Sequence, residues 1–200
     1  MKLRKLWPWL LGSCILLAGL VCFFVIGDGD PPSETPTLIV ETPQKLSASQ
    51  NQEFTLDVTV SQLGDALYPA MSMDIGFDAS RLEFLGAEEG NLFVLDSKNS
   101  TGQQLPQWNY DLKACNDTGH IRMMYLDMTG GKEAFTKALF TEDRNVVVRL
   151  KFRLRGSVIP GDVLDLIVED AVFAASDETQ SLAMTTGTLS TKNSRLVIGE

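Results

Sequence analysis

The chain has 200 residues and a mass of 22.0 kDa, the size of one ordinary domain with an extension, which argues against a multidomain enzyme. Its 17 basic and 26 acidic side chains give a net charge of -9. Such a chain repels phosphate backbones, so we expect no nucleic-acid partner. Hydrophobic residues make up 44% of the sequence, which is enough to bury a core and excludes a disordered or collagen-like chain.

The N-terminal segment, residues 1–27, is predicted to be a transmembrane anchor or an export signal. No charged side chain occurs from Leu6 to Gly27, and a helix of that length spans about 33 Å, close to the thickness of a bilayer's hydrocarbon core. Basic residues precede this stretch and acidic residues follow it, which predicts a single-pass membrane protein with an extracellular C-terminal domain. The alternative is a signal cleaved after Val25-Ile26-Gly27, which would leave a secreted protein.

Two further segments follow the apolar one. Residues 28–36 are rich in proline, a composition that stays extended and is typical of a spacer. Residues 37–200 are predicted to form one exported domain. Cys115 is the only cysteine of that domain, so no internal disulfide can stabilise it and its core must be held by burial.

The exported domain has the residue pattern of an all-β protein. Apolar and polar side chains alternate from Phe54 to Val60, from Met71 to Phe77 and from Val146 to Leu154, as in strands with one buried face. Shorter apolar runs are separated by glycine, proline and asparagine turn signals. About nine strands of this length imply a two-sheet sandwich. Only Lys132–Thr141 has apolar residues at helical spacing, which predicts one short helix between strands.

Sequence motifs for catalysis, cofactors and metals are missing, so we predict that the chain is not an enzyme. His120 is the only histidine and has no nucleophile or metal ligand at a recognisable spacing. The acidic pairs, such as Glu169 and Asp170, are typical of a solvated surface, although paired carboxylates can also serve glycoside hydrolysis. We assign no catalytic residue, metal ligand or cofactor. A rigid exported sandwich without a reactive centre is expected to bind a partner.

Three segments, in order, resemble the cohesin domain family. The segment from Tyr68 to Gly90 resembles the third and fourth strands of cohesins, with an aromatic-Asp-x-x-x-Leu-Glu turn at Phe77–Glu83. Ile121–Leu154 is similar to the sixth and seventh strands, and Gly161–Glu178 is similar to the eighth strand with its terminal Phe-Ala pair. The resemblance covers about residues 37–198.

The resemblance to cohesins implies a fold and a function. Cohesins are nine-stranded jelly-roll β-sandwiches that bind dockerin modules noncovalently, which implies a dockerin-bearing partner, a cellulosome-like assembly and polysaccharide degradation. Calcium is then expected on the dockerin; no cofactor is assigned to this chain, although a calcium site in its acidic loops stays open as an alternative. The short helix predicted at Lys132–Thr141 is similar to that of type II cohesins. A membrane-anchored single module is similar to the family's surface-anchoring members.

The resemblance also implies which residues contact the partner, since cohesins bind through outward residues of the third, fifth, sixth and eighth strands. Alternation places Ile121, Met123 and Tyr125 inward on the sixth strand, independently of the family. Type I members often carry Asn-x-Asp on the third strand, and this chain departs from that pattern. The predicted partner-binding residues are Ala70, Ser72 and Asp74 on the third strand, Trp108 and Tyr110 on the fifth, and Arg122, Met124, Leu126 and Asp127 on or after the sixth.

One alternative function uses the same fold. Trp108 and Tyr110 lie two residues apart on the predicted fifth strand, so both side chains point to the same face. Exposed aromatic rings at that spacing could anchor a protein helix or stack on sugar rings. The alternative is therefore a carbohydrate-binding β-sandwich module at the cell surface, with a polysaccharide as ligand.

Overall fold

The structure is a computed structural model, and it describes residues 35–47, 51–92, 108–156 and 158–199. Residues from Thr35 onward belong to one compact unit. The predicted anchor, residues 1–27, lies outside the described residues, as does the predicted spacer up to residue 34. Within the described ranges, no helix is both long enough and apolar enough to cross a membrane.

Strands are the main regular structure of the described residues. One α-helix and two 3-10 helices interrupt the strands. The strands are β1 Thr37–Glu41, β2 Leu46–Ser47, β3 Glu53–Val60, β4 Leu67–Tyr68, β5 Ala70–Phe77, β6 Leu82–Glu89, β7 His120–Leu126, β8 Phe135–Thr136, β9 Val146–Leu154, β10 Val163–Ala174, β11 Leu182–Ala183, β12 Ser190–Lys192 and β13 Ser194–Gly199. The α-helix, α1, is Leu112–Thr118, and the 3-10 helices are Lys137–Leu139 and Glu178–Gln180.

The long strands form two sheets. The first sheet has the order β12-β1-β3-β9-β6. The second has the order β2-β13-β10-β5-β7, with β11 also paired to β10. Neighbouring strands are antiparallel except at the sheet edges, where β1 pairs with β12 and β13 pairs with β2 in parallel. The described residues thus form an all-β sandwich, as the alternating sequence pattern predicted.

The core lies between the two sheets and consists of the inward residues of every long strand. In β7 the buried and outward positions alternate through all seven residues, and in β9 the last five residues alternate in the same way. Phe77 of β5 and Phe152 of β9 face each other across the sheets with ring centroids 5.5 Å apart. Phe84 of β6 also packs on Phe152, at 5.6 Å. These contacts bury the faces that the period of two marks as apolar.

The strand count differs from the prediction. About nine strands were expected, whereas the described residues contain thirteen, of which β2, β4, β8 and β11 have only two residues each. Isolated two-residue strands carry almost no period, so alternation cannot identify them. Their pairing is decided by neighbours far along the chain, as for β4 with β8.

The helix prediction was wrong in position. Lys132–Thr141 does not form an α-helix, since Phe135–Thr136 is strand β8 and only Lys137–Leu139 adopts a 3-10 turn. Phe135 is fully buried and pairs with Tyr68 of β4, so tertiary packing overrides the helical spacing. The α-helix of the described residues is α1 instead. The structural feature that suggested a type II cohesin is therefore not present where it was expected.

Candidate partner-binding face

The outer surface of the second sheet brings most of the predicted contact residues together. We call it the β10-β5-β7 face, after the three strands that form it. Strand register aligns the outward side chains in rows across these strands. The rows, from one end to the other, are Ala174, Ala70 and Leu126; Val172, Ser72 and Met124; Asp170, Asp74 and Arg122; and finally Gly76 with His120.

One half of this face is apolar. Met124 and Leu126 are 50% and 45% exposed, because they occupy outward positions of β7 and no other element of the described residues covers them. Their neighbours on β5 are the small residues Ala70 and Ser72. Large apolar side chains beside small ones form a shallow and largely apolar surface, which is typical of the centre of a protein-protein interface.

The other half of the face is charged. The Arg122 Nε donates to Asp74 Oδ2 at 2.8 Å, and this hydrogen bond together with the carboxylate's charge raises the pKa of Arg122. His120 Nδ1 lies 3.1 Å from Asp74 Oδ1 and 3.3 Å from Glu169 Oε2. Asp170 lies opposite Asp74 on β10. This half therefore carries three carboxylates against one guanidinium and one imidazole.

A depression of about 350 Å³ lies where the two halves meet. Its outward lining residues come from β5, β7, β10 and the segment before α1, so it spans the width of the face. They are Ser72, Asp74, Asn109, Arg122, Met124 and Asp170. A partner side chain placed there contacts apolar and charged groups together.

Asp127 does not join the exposed face. Its Oδ1 accepts from the Thr129 N–H and hydroxyl, and its Oδ2 accepts from the Gly131 N–H. The carboxylate therefore holds the turn that follows β7, in the manner of an Asx turn. Asp127 fixes the end of the strand that carries Met124 and Leu126.

Trp108 and Tyr110 lie elsewhere than predicted. Trp108 is only 7% exposed, and its ring lies 5.7 Å from that of Tyr125. Tyr110 packs on Phe84 at 5.4 Å, and its hydroxyl accepts from the Ala87 N–H. The two aromatics do share a face, but that face is the interior, so the exposed aromatic platform was a wrong prediction.

Asn109, between the two aromatics, is the exposed residue of this short segment. It forms a two-way backbone bridge with Met124, so it adds one more position beside β7. A strand of only three residues is too short for alternation to show whether Asn109 or its two aromatic neighbours face the core. The ring partners Tyr125 and Phe84, which decide it, come from other strands.

Glu169 and Asp170 were not predicted as site residues, and a β-bulge places them here. The pairing of β10 with β5 shifts register between Val168 and Asp170, and both Glu169 and Asp170 are exposed. A bulge adds one residue and redirects the side chains around it. The signal was present in the sequence, since the apolar alternation of β10 slips by one position after Val168.

The outer face of the first sheet is different, because its charges pair with one another. Arg149 contacts Asp57 at 3.2 Å, and Arg153 contacts Glu83 at 3.3 Å. Further pairs join Lys151 with Glu88 and Arg153 with Glu53. A surface of cross-strand ion pairs is well solvated and offers little apolar area to a partner.

Comparisons with known proteins give the same architecture. The family model described as "Cohesin domain" matches residues 40–191. The OlpC cohesin of Clostridium thermocellum, solved in complex with Doc435, is 12% identical with a TM-score of 0.58, over 86% of this chain and 98% of that one. The OlpA cohesin of the same organism, in complex with Doc918, is 17% identical with a TM-score of 0.57, over 82% and 99%.

A third similar structure comes from an archaeon. The non-cellulosomal cohesin of Archaeoglobus fulgidus is 14% identical with a TM-score of 0.54, over 83% of this chain and 92% of that one. A comparison with curated protein sequences finds no match. The solved structures share the fold, and the family model covers most of the folded domain. The chain therefore belongs to the cohesin domain family.

Proposed function

We propose that this chain binds a dockerin-bearing protein noncovalently through the β10-β5-β7 face. The observation that carries the proposal is the contrast between the two outer surfaces. One sheet is covered by paired charges, and the other exposes Met124 and Leu126 beside a charged row. Two similar cohesins, OlpA and OlpC, were solved as cohesin-dockerin complexes, which supports a partner of this class.

The composition of the face suggests how the partner is recognised. Met124 and Leu126 offer an apolar centre for aliphatic side chains of the dockerin. Asp74, Glu169 and Asp170 give the other half an excess of negative charge, so a basic side chain of the partner is favoured there. Electrostatic complementarity of this kind orients the partner and raises the association rate.

A pair of matched variants tests which face binds. Met124→Asp places a carboxylate in the apolar half, and Thr55→Asp places one at an exposed strand position of the opposite sheet. We expect Met124→Asp to weaken dockerin binding at least about thirtyfold, since a central interface position is worth roughly 2 kcal/mol or more. Thr55→Asp should bind as the unchanged chain does. The reverse ranking would place the interface on the first sheet.

Binding is best measured by calorimetry against a panel of calcium-loaded dockerins of both types. Both are needed because Ala70 and Ser72 depart from the type I contact pattern, while the helix expected of a type II cohesin is a 3-10 turn at Lys137–Leu139. Failure of every dockerin from the same genome to bind would overturn the proposal. Retention of the chain on cellulose, xylan or pectin would then favour the carbohydrate-binding alternative. That alternative was based on exposed rings of Trp108 and Tyr110, which the structure places in the interior.

We also infer that the domain is presented at the cell surface, in a polysaccharide-degrading assembly, by the apolar segment 1–27 and the spacer 28–36. The charge pattern around Leu6–Gly27 supports this. Cell fractionation followed by an alkaline carbonate wash should leave the chain in the membrane pellet, and external protease should remove its C-terminal domain. An N-terminus beginning near Asp28 in the culture medium would show cleavage and secretion instead.

A further inference from the structure

Three potential metal ligands meet on the β10-β5-β7 face although they are far apart in the sequence. Asp74, His120 and Glu169 come from three adjacent strands. Each offers one ligand atom, and these atoms lie within 4.8 Å of one another. The imidazole Nδ1 is the common neighbour, at 3.1 Å from the Asp74 carboxylate and 3.3 Å from the Glu169 carboxylate.

These separations match the spacing of ligands around a small divalent ion. Zinc binds imidazole nitrogen and carboxylate oxygen at about 2.0 to 2.2 Å in tetrahedral geometry, so two ligand atoms lie about 3.4 Å apart. The third separation, between the Asp74 and Glu169 carboxylates, is no more than 4.8 Å, and rotation of the partly exposed Glu169 side chain can bring its oxygen to the spacing that the ion requires. The mixed nitrogen and oxygen donor set favours zinc or a similar transition metal over calcium, which takes six to eight oxygens.

The backbone is built so that the three side chains can meet. His120 and Ile167 are the register partners of Gly76 on its two sides, so a side chain at Gly76 would stand between β7 and β10. A Cβ there would lie 3.0 Å from Glu169 Oε1. The β-bulge after Val168 turns Glu169 toward the gap that glycine leaves. Two separate backbone features therefore direct Glu169 toward His120.

The remaining groups orient the ligands and set the local charge. Arg122 binds Asp74 Oδ2, the oxygen that does not contact His120, so the carboxylate is held with Oδ1 toward the cluster. Such support from a neighbouring group is usual for metal ligands. Asp74, Glu169 and Asp170 together exceed the single charge of Arg122, which leaves net negative charge for a dication.

We propose that Asp74, His120 and Glu169 form a binding site for a divalent transition metal of the zinc class, with one position open to water or to a partner's side chain. The side chains of His120 and Glu169 are 30% and 45% exposed, and a cavity of about 330 Å³ opens beside them, so the ion has an entry path. This goes beyond dockerin binding, and its test needs no dockerin.

The single histidine makes the test specific. The imidazole NMR signals of the untagged full chain report on His120 alone, so zinc bound by the thiols of Cys14 or Cys22 does not affect them. Zinc added in neutral buffer should shift or broaden these signals until one equivalent is bound. Excess calcium should leave them unchanged. A calcium response as strong as that of zinc, or no response to excess zinc, would overturn the proposal.

Variants that keep the imidazole identify the other ligands. Glu169→Gln and Asp74→Asn should each weaken zinc binding at least about tenfold, since ligand removal costs no less than the loss of a supporting group. Asp57→Asn removes a carboxylate from the opposite sheet, where it contacts Arg149 at 3.2 Å, and should leave the affinity unchanged. Equal affinity in all three variants would show zinc bound by His120 without this carboxylate pair.

Discussion

At the level of single residues, the charged half of the face depends on a position that has no side chain. Gly76 lies between His120 and Ile167 in the sheet and is not one of the glycines with positive φ. Its role is to leave room, because a Cβ would come within 3.0 Å of the Glu169 carboxylate. An added methyl group must move that flexible side chain, whereas the strand itself can stay.

We therefore predict that Gly76→Ala separates fold from site. Replacing glycine in a strand restricts the unfolded chain, so stability should stay within about 1 kcal/mol. The displaced Glu169 should lower zinc affinity by about tenfold, close to the effect of Glu169→Gln. Thermal unfolding and the zinc titration of His120 measure the two effects. A folded Gly76→Ala variant with full zinc affinity would show that Glu169 does not need the gap.

The sequence predicts the facing of some residues and not of others. In β7, seven alternating residues settle which side is apolar, and the outward positions of Arg122, Met124 and Leu126 are confirmed. Trp108 could not be placed in this way, because its inward side is decided by Tyr125 on another strand. The outward position of Glu169 could be predicted only by recognising the β-bulge after Val168. Its contact with His120 depends on the order of β10, β5 and β7 in the sheet, which no local sequence spacing encodes.

At the level of elements, α1 is held to β6 by one side chain. Asn116 Oδ1 accepts from the Phe84 N–H at 2.9 Å, and Asn116 Nδ2 donates to the Phe84 carbonyl at 2.8 Å. β6 is the edge strand of the first sheet, so on the side away from β9 the backbone of Phe84 takes its partner from the helix. The side-chain amide of Asn116 thus makes the two backbone hydrogen bonds that a neighbouring strand would otherwise make with Phe84.

This helix could not be predicted from hydrophobic period. Only Cys115 of its seven residues is buried, so it has no apolar stripe. Its determinants are local caps and one distant contact: the Asp111 side chain accepts from Ala114 N, and Gly119 ends the helix in the left-handed conformation. An Asp and a Gly at these positions are common signals in turns as well, so they do not distinguish a short helix from a loop.

We predict that Asn116→Ala destabilises the domain by about 1 to 3 kcal/mol, because it leaves both backbone groups of Phe84 without their partner. Asp117→Ala is the control, since Asp117 is exposed and its ion pair with Lys113 is solvated, so its effect should stay near 0.5 kcal/mol. Urea denaturation measures both. Equal midpoints for the two variants would show that the Asn116 contacts contribute no net stability.

The same variant should expose a buried thiol. Cys115 is 2% exposed, and burial raises the pKa of its thiol, so the folded chain should resist alkylation there. Loosening of α1 in Asn116→Ala is expected to speed the modification of Cys115 severalfold, as mapped by mass spectrometry. An unchanged rate would mean that the helix stays docked through its other contacts.

At the level of the whole molecule, the two sheets serve different purposes around one core. The outer side of the first sheet is covered by ion pairs such as Arg149 with Asp57, which keep it solvated and discourage association. The outer side of the second sheet leaves Met124 exposed, and directly beneath it the inward residues of β7 pack into the core. Tyr125 is the largest of these inward residues. The position of β7, and with it the exposed Met124, therefore depends on the packing of the Tyr125 ring in the core.

The burial of Tyr125 predicts how stability depends on pH. Its hydroxyl donates to the Glu133 carbonyl at 2.6 Å, and burial raises its pKa above the ordinary 10.0. The folded chain therefore keeps a proton that the unfolded chain releases above pH 10, and the free energy of unfolding falls there by up to about 1.4 kcal/mol per pH unit for this group. Tyr125→Phe should lose about 1 kcal/mol at neutral pH but fall less steeply under alkaline conditions. Urea denaturation of the unchanged chain and of Tyr125→Phe from neutral pH to above pH 10 tests this prediction. Free energies of unfolding that fall equally steeply with pH in the two chains would contradict it.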